Sequence, residues 1–234
     1  MRTQDIYGGR NPQDIAAYSV AEAAKYLKIP PTTLRPWIAG RIYPRQRDTG
    51  FFPRLIIASE DHPPRLSFNN LVEAYALRAL RTEHKVSIKA VREAIDIAQK
   101  EFNIPRLLLS TALRMGAGEL FLEKYGELVH LSKSLQLAMK DIFDAHLQRI
   151  EWDKNMPVCL YPFPSGYPRD GRRGIVIDAR RAFGRPIIAR RGVSTAVIVD
   201  RIDAGEKEEV IAADYDLMHD EIVEVLDYEH ALAA

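Results

Sequence analysis

Residues 18–38, Tyr18-Ser19-Val20-Ala21-Glu22-Ala23-Ala24-Lys25-Tyr26-Leu27-Lys28-Ile29-Pro30-Pro31-Thr32-Thr33-Leu34-Arg35-Pro36-Trp37-Ile38, decide how the 234-residue chain is to be read. Ser19 followed three residues later by Glu22 is a capping box, in which each residue satisfies a backbone donor of the other, and it fixes a helix start. Leu27-Lys28-Ile29-Pro30 breaks that helix, and a second one runs through Leu34, Trp37 and Ile38. Two short helices about a turn of three or four residues, with small alanines where they cross, form a helix-turn-helix pattern. Lys28 stands at a turn position often given to glycine, a costly choice if φ is positive there. Pro36 cannot lie deep in a helix, so the second helix is expected to start near Thr33 with Pro36 in its first turn. Thr32, Thr33 and Arg35 then occupy the helix N-terminus, the end that usually meets a DNA groove.

The sequence on the C-terminal side extends the pattern. Residues 41–54 are irregular and basic, and Leu55-Ile56-Ile57 and Arg65-Leu66-Ser67 read as strands around a tip at Asp61-His62-Pro63-Pro64. Phe68, Leu71, Val72, Tyr75, Ala76, Ala79 and Leu80 keep a 3.6 period. So do Ile88, Val91, Ile95, Ala98 and Phe102, behind a Ser87 cap. Helix-turn-helix, hairpin and helix make a winged arrangement over residues 1–103. Arg35, Arg41, Arg45, Arg47 and Arg54 against a lone Asp48 over residues 31–58 form a positive stripe where phosphate contacts belong. We therefore expect Thr32, Thr33, Arg35, Arg41, Arg45, Arg47 and Arg54 to bind DNA.

Beyond residue 103 the chain divides again. In residues 104–166, Leu120-Phe121-Leu122 and Leu128-Val129-His130-Leu131 flank Lys124-Tyr125-Gly126 as a hairpin. An amphipathic helix then carries Leu135, Met139, Ile142, Phe143, His146 and Ile150 on one face, a candidate for dimerisation. Residues 156–174 hold four prolines and three glycines and read as a strand, then a linker. Residues 167–234 add two short strands (Gly174 to Asp178 and Arg185 to Ile188) and three helices, Ser194 to Ala204, Glu206 to Ala213 and Met218 to about Tyr228. The expected fold is mainly α with short β hairpins (α+β): a winged helix-turn-helix, an α/β middle region and a C-terminal three-helix, homeodomain-like unit.

Charge is distributed unevenly. The total is +1, but residues 31–85 carry +4, residues 165–201 carry +6 and residues 202–234 carry −10. Positive surfaces for phosphate beside a negative end that repels it imply two kinds of partner. The second basic segment suits nucleic acid, an acidic protein surface or simple solvation. Asp214, Asp216, Asp220 and Glu221 suit Mg²⁺ in principle, but equally a helix N-terminus. No Gly-rich phosphate loop, nucleophile elbow or HExxH occurs, and the six histidines are scattered, so no catalytic residue, metal or cofactor is assigned and no enzyme is expected. Cys159, the single cysteine, reads as a buried inert thiol. No apolar stretch approaches the ~20 residues of a membrane helix and nothing resembles a signal peptide, so a cytoplasmic protein is expected.

Residues 174–230 resemble the small C-terminal domain of a bacterial domain-of-unknown-function family associated with VapB-type antitoxins. The resemblance rests on Gly184-Arg185-Pro186-Ile187-Ile188, Val193-Ser194-Thr195, Ala204-Gly205-Glu206, Glu208 to Tyr215 and Glu221-Ile222. It departs at Arg190-Arg191-Gly192-Val193, where the family has a Gly-Thr-Arg-Ile step. Tyr18 to Leu27 with Thr33-Leu34-Arg35 and Trp37 looks like a MerR-type winged helix, and the longer antitoxins combine the two. The resemblance implies an antitoxin that neutralises a PIN-domain ribonuclease toxin and binds its own promoter. The alternative is a MerR-like regulator without a toxin. A metal-dependent nuclease is a third class. A −10 segment repels duplex DNA, which assigns the C-terminal unit to the protein partner. Arg180, Arg181, Arg185, Arg190, Arg191, Glu208, Glu209, Asp220 and Glu221 are its candidate toxin contacts. A homodimer or higher even oligomer is expected, because two-fold pairing sets recognition helices one DNA turn apart.

Overall fold

The structure, a computed structural model, describes residues 7–44, 49–79, 88–103, 106–114, 119–123, 127, 140–141, 143–163 and 171–231. Helix α1 (Val20–Leu27) starts on the Ser19 capping box: Ser19 Oγ accepts from the Glu22 amide at 3.1 Å, and Glu22 Oε2 accepts from the Ser19 amide at 2.8 Å. Helix α2 (Pro31–Ala39) begins two residues earlier than the sequence suggests. Pro31 is tolerated at the first position because that N–H has no helical partner. Pro36 lies inside the helix rather than in its first turn, leaving the Thr32 carbonyl without its helical donor.

Strand β1 (Tyr18–Ser19) pairs antiparallel with β5 (Pro64–Leu66), which also pairs with β4 (Glu60–Asp61) around the cis His62–Pro63 bond, so this tip lies where the sequence places it. A separate hairpin, β2 (Arg41–Pro44) with β3 (Thr49–Phe52), forms in the stretch expected to be irregular. Leu55-Ile56-Ile57 is not a strand. Its first two amides donate to the Trp37 carbonyl at 2.7 and 2.9 Å, closing the end of α2. All twelve residues of α3 (Phe68–Ala79) are buried, including Glu73 and Arg78, making it the central helix of the core. Helix α4 (Ile88–Phe102) follows; Leu80 and Ser87 lie outside the described residues.

The middle region departs further from expectation. Residues 119–123 are helical where a hairpin strand was anticipated, and consecutive Phe121 and Leu122 are both buried, Phe121 against Phe143 with ring centroids 5.7 Å apart. Strand burial would alternate. Lys124 to Gly126, Leu128 to Leu131, and Leu135, Met139 and Ile142 of the proposed pairing face lie outside the described residues. Phe143 is core, 1% exposed. Strands β6 (Ile150–Asp153), β7 (Met156–Leu160), β8 (Ile175–Asp178) and β9 (Ile187–Ile188) form one antiparallel sheet, so the middle and C-terminal regions share a sheet across residue 166.

Three helices complete the chain: α5 (Thr195–Asp203), α6 (Glu208–Tyr215) and α7 (His219–His230). They close on a small core of Ile188, Ile198, Ile211, Leu217, Ile222 and Val225. The mixed α+β class and the N-terminal helix-turn-helix are as expected. Among the described residues no helix is long and apolar enough to cross a membrane, and no group of His, Cys, Asp or Glu is placed to hold a metal ion. Cys159 is half-buried and burial pushes its thiol up to about 11, which leaves little thiolate near neutral pH.

Candidate nucleic-acid and partner interfaces

The turn between α1 and α2 is built at a cost that other parts of the chain offset. Lys28 adopts φ +52, ψ +42, the left-handed conformation that glycine takes most easily. Two prolines follow, and Pro30 and Pro31 have no N–H to return to the carbonyls of Tyr26 and Leu27. Side chains from outside the motif supply those donors. Tyr228 Oη, from the last helix, donates to the Tyr26 carbonyl at 2.9 Å. Arg78 Nη1, from α3, donates to the Leu27 carbonyl at 2.9 Å. The Lys28 ammonium lies 4.3 Å over the Tyr228 ring. Burial pushes that ammonium down to about 8, against the opposing pull of the Glu229 carboxylate.

The same seam continues along α1. Lys25 Nζ pairs with Glu229 at 2.9 Å, and the Thr195 hydroxyl donates to the other Glu229 oxygen at 2.5 Å. Tyr18 Oη donates to the Gly184 carbonyl at 2.9 Å in a buried contact. Gly184 sits at φ +74, and a Cβ there would overlap the Tyr18 hydroxyl. The C-terminal unit therefore seals the back of the helix-turn-helix. Nothing in the sequence pattern points to this, because partners such as Tyr26 and Tyr228 lie about 200 positions apart.

The opposite face of α2 is open. Pro31, Thr32, Arg35 and Ala39 are exposed, whereas Thr33, Leu34, Trp37 and Ile38 are buried. Thr33 is 2% exposed and its hydroxyl has no hydrogen-bond partner among the described residues, so it faces the core and leaves the candidate DNA set. Arg41 is exposed at the start of β2. Arg45 and Arg47 lie outside the described residues. Arg54 is half-buried; its Nη1 pairs with Asp61 at 2.6 Å, and its carbonyl accepts from Arg92. Thr32, Arg35 and Arg41 are thus exposed, and Arg54 is drawn aside into an ion pair.

In the C-terminal unit several members of the basic and acidic segments pair with one another. Arg190 grips Glu221 in a two-point contact at 2.9 and 2.6 Å and donates to the Asp216 carbonyl at 2.6 Å. Arg191 pairs with the Asp216 carboxylate. Arg172 meets Asp227 at 2.7 Å, and Arg201 bridges Glu206 and Asp214. Hydrogen bonding from Arg190, against a smaller opposing effect of burial, lowers the pKa of Glu221. Arg190 and Arg191 are exposed and Glu221 buried, and all three take part in ion pairs within this unit. Glu208 is half-buried and lies 3.9 Å from His219, whereas Glu209 and Asp220 are exposed. Ile222 and Val225 belong to the three-helix core, with Leu226 packed against it.

Arg180, Arg181 and Arg185 stay exposed, on a turn whose apex is Phe183, 73% exposed. Ala182, Phe183 and Gly184 take successive positive φ values of 48, 53 and 74°. Such backbone is disfavoured for non-glycine residues. Arg180 also pairs with Asp178 at 3.3 Å. Charge counting missed Phe183; the one available signal is a bulky aromatic in a run of arginines.

Comparisons with known proteins find similarity to two parts of the chain and to its length as a whole. Residues 16–95 match a family model described as "Putative DNA-binding HTH domain", and residues 175–228 match "Protein of unknown function (DUF433)". The chain is 29% identical over 232 residues to a Mycobacterium tuberculosis protein named "Putative antitoxin VapB45", covering 92% of this chain and 94% of that protein. It is 26% identical over 224 residues to "Uncharacterized protein Rv2308" of the same organism, covering 92% and 90%. The crystal structure of Rv2018 from Mycobacterium tuberculosis superposes with a TM-score of 0.65 at 24% identity, over 91% of this chain and 98% of that one, which shows a shared fold. The chain thus matches a helix-turn-helix model in its N-terminal part and the DUF433 model in its C-terminal part, and is similar over most of its length to a protein named a putative antitoxin.

Proposed function

We propose that this protein is an antitoxin that binds the promoter of its own operon through the helix-turn-helix and neutralises a PIN-domain ribonuclease through residues 167–234. The observation that carries the DNA half is the exposed face of α2. Thr32, Arg35 and Ala39 recur at i, i+3 and i+7, and Arg41 follows at the base of the wing. A helix presenting one face to solvent beside a basic hairpin is the arrangement that enters a major groove. Residues 1–103 provide this surface, with Thr32, Arg35, Arg41, Arg45 and Arg47 as contacts and Arg54 contributing once released from Asp61. Residues 104–166 join it to the partner-binding unit and pair two copies into a MerR-like dimer.

The toxin half rests on similarity over 92% of the chain to a protein named a putative antitoxin and on the exposed Arg180–Arg185 turn. A ribonuclease holds negative carboxylates at its centre and positive charge around it to receive RNA. Arg180, Arg181 and Arg185 suit the first, and Glu208, Glu209 and Asp220 suit the second. Arg190, Arg191 and Glu221 hold the unit in shape.

The test is co-expression with the product of the adjacent reading frame. The two proteins are expected to co-purify, with ribonuclease activity appearing only when the toxin is freed. An adjacent product that neither binds nor degrades RNA would leave the regulator reading, in which DNA binding stands alone.

A further inference from the structure

The turn that joins β8 to β9 is held at its base and bare at its tip. Tyr7 Oη donates to the Ala179 carbonyl at 3.1 Å, and Tyr18 Oη donates to the Gly184 carbonyl at 2.9 Å. Between them, the buried Asp178 accepts from the Arg180 amide at 2.8 Å. Arg180, Arg181, Ala182 and Phe183 are then exposed in succession, and Arg185 is exposed beyond the buried Gly184. Ala182 and Phe183 both take left-handed dihedrals, φ 48 and 53°, although each carries a Cβ. A left-handed pair and an aromatic ring 73% exposed each cost free energy in the chain on its own. Strain of this kind persists where the surroundings over-determine the backbone, and it clusters at binding positions. The backbone beneath the ring is fixed before any contact is made, so little ordering is left to lose on binding.

We propose that Phe183 anchors the contact with a folded protein partner, filling an apolar pocket whose rim carries carboxylates that meet Arg180, Arg181 and Arg185. The proposal deepens the antitoxin reading above and rests on it. An aromatic ring among arginines is the composition from which interface hot spots are drawn. The extent of the positive charge decides against nucleic acid. Duplex DNA carries one negative charge per ~1.7 Å of its axis, so a surface that follows it is positive over its length. Here the charge is an island. Beyond Arg185, the exposed Glu22 at the start of α1 lies within electrostatic reach. Beyond Arg181, whose Nη2 donates to the Ala189 carbonyl at 3.4 Å, the chain reaches Arg190 and Arg191 and their partner Asp216, a side chain 77% exposed. Residues 171–231 together hold 9 basic and 13 acidic side chains, net −4. A polyanion laid across the turn therefore runs onto carboxylates, whereas a single pocket fits among them. Two-fold pairing of copies through this tip would set three arginines against three.

The experiment measures association and dissociation rates of the full-length protein with the purified product of the adjacent reading frame at several salt concentrations. Duplex binding and light scattering are recorded on the same samples. Phe183→Ala is expected to weaken the complex roughly thirtyfold or more, through faster dissociation and with the salt dependence of association unchanged. Arg181→Ala slows association and reduces its salt dependence. Phe183→Leu retains most of the affinity, and both Phe183 variants keep the parental thermal midpoint because the ring is exposed. If the parent complex forms and Phe183→Ala binds as tightly, the anchor is wrong while the antitoxin reading stands. Weakened duplex binding with unchanged partner affinity would assign the tip to nucleic acid, and a parental oligomer dissociated by Phe183→Ala would assign it to a second copy; either result overturns the proposal. A parent protein that does not bind the adjacent product refutes the antitoxin reading itself, and this proposal with it.

Discussion

Replacing Tyr228 by Phe removes one oxygen atom and tests whether the last helix completes the helix-turn-helix. The Tyr228 hydroxyl donates to the Tyr26 carbonyl at 2.9 Å, and the side chain is fully buried. The amide that would otherwise serve this carbonyl belongs to Pro30 and does not exist. The variant leaves this part-buried acceptor without its donor, at a cost of about 1–3 kcal/mol. The ring stays, so its contact with the Lys28 ammonium is preserved and the loss is confined to the hydrogen bond. For a chain of this size each kcal/mol lowers the unfolding midpoint by roughly 2–4 °C, which puts the expected shift between about 2 and 12 °C. Calorimetry with parallel urea unfolding measures it, and an unchanged urea m value would show that the native surface is intact. A Tyr228→Phe variant with the parental midpoint in both experiments would refute the claim that residues 18–40 depend on the C-terminal helix.

Three further outcomes follow from the same geometry. The Lys28 ammonium titrates near 8 when folded and near 10.5 when unfolded, so its contribution to stability is complete above 10.5, falls as pH drops and is gone below about 8. Stability should therefore rise with pH across that window, and Lys28→Met should abolish the rise in urea titrations at fixed salt. Gly184→Ala combines a positive φ with overlap on the Tyr18 hydroxyl, and should destabilise by about 2–4 kcal/mol or force that joint open, visible as faster amide exchange around Tyr18. Thr33→Val replaces a buried hydroxyl without a partner among the described residues by a methyl of the same shape, and should leave stability unchanged or raise it by up to about 1 kcal/mol without altering duplex affinity; a clear loss of DNA binding would return Thr33 to the interface.

Local signals carried most of what the sequence disclosed. The Ser19–Glu22 box, the breaks at Pro30 and Gly205 and the 3.6-residue periods of α3 and α4 are each set by neighbours within a few residues, and the elements form where those signals lie. The wing was hidden because Arg41 to Phe52 contains no alternation: Ile42 and Phe51 face solvent, so burial leaves no period-2 mark there. Leu55-Ile56-Ile57 looked like a strand from β-branching alone, yet its amides are spent on the Trp37 carbonyl. The candidate sites were least legible. Charge counts located basic and acidic segments but not the ion pairs that fold them together, because Arg190 and Glu221 are 31 positions apart. Long-range closure decides which charges remain for a partner.

The most direct test of the central claim is the salt dependence of duplex binding by the full-length protein and by Arg35→Ala. Arg35 is exposed at the centre of the open α2 face, where a phosphate contact releases about one counterion. The expected result is saturable binding to the DNA upstream of the protein's own reading frame, with the logarithmic salt slope smaller by about 1 in the variant and its thermal midpoint unchanged. Binding with the same affinity and the same slope in both proteins would contradict the placement of DNA on this face.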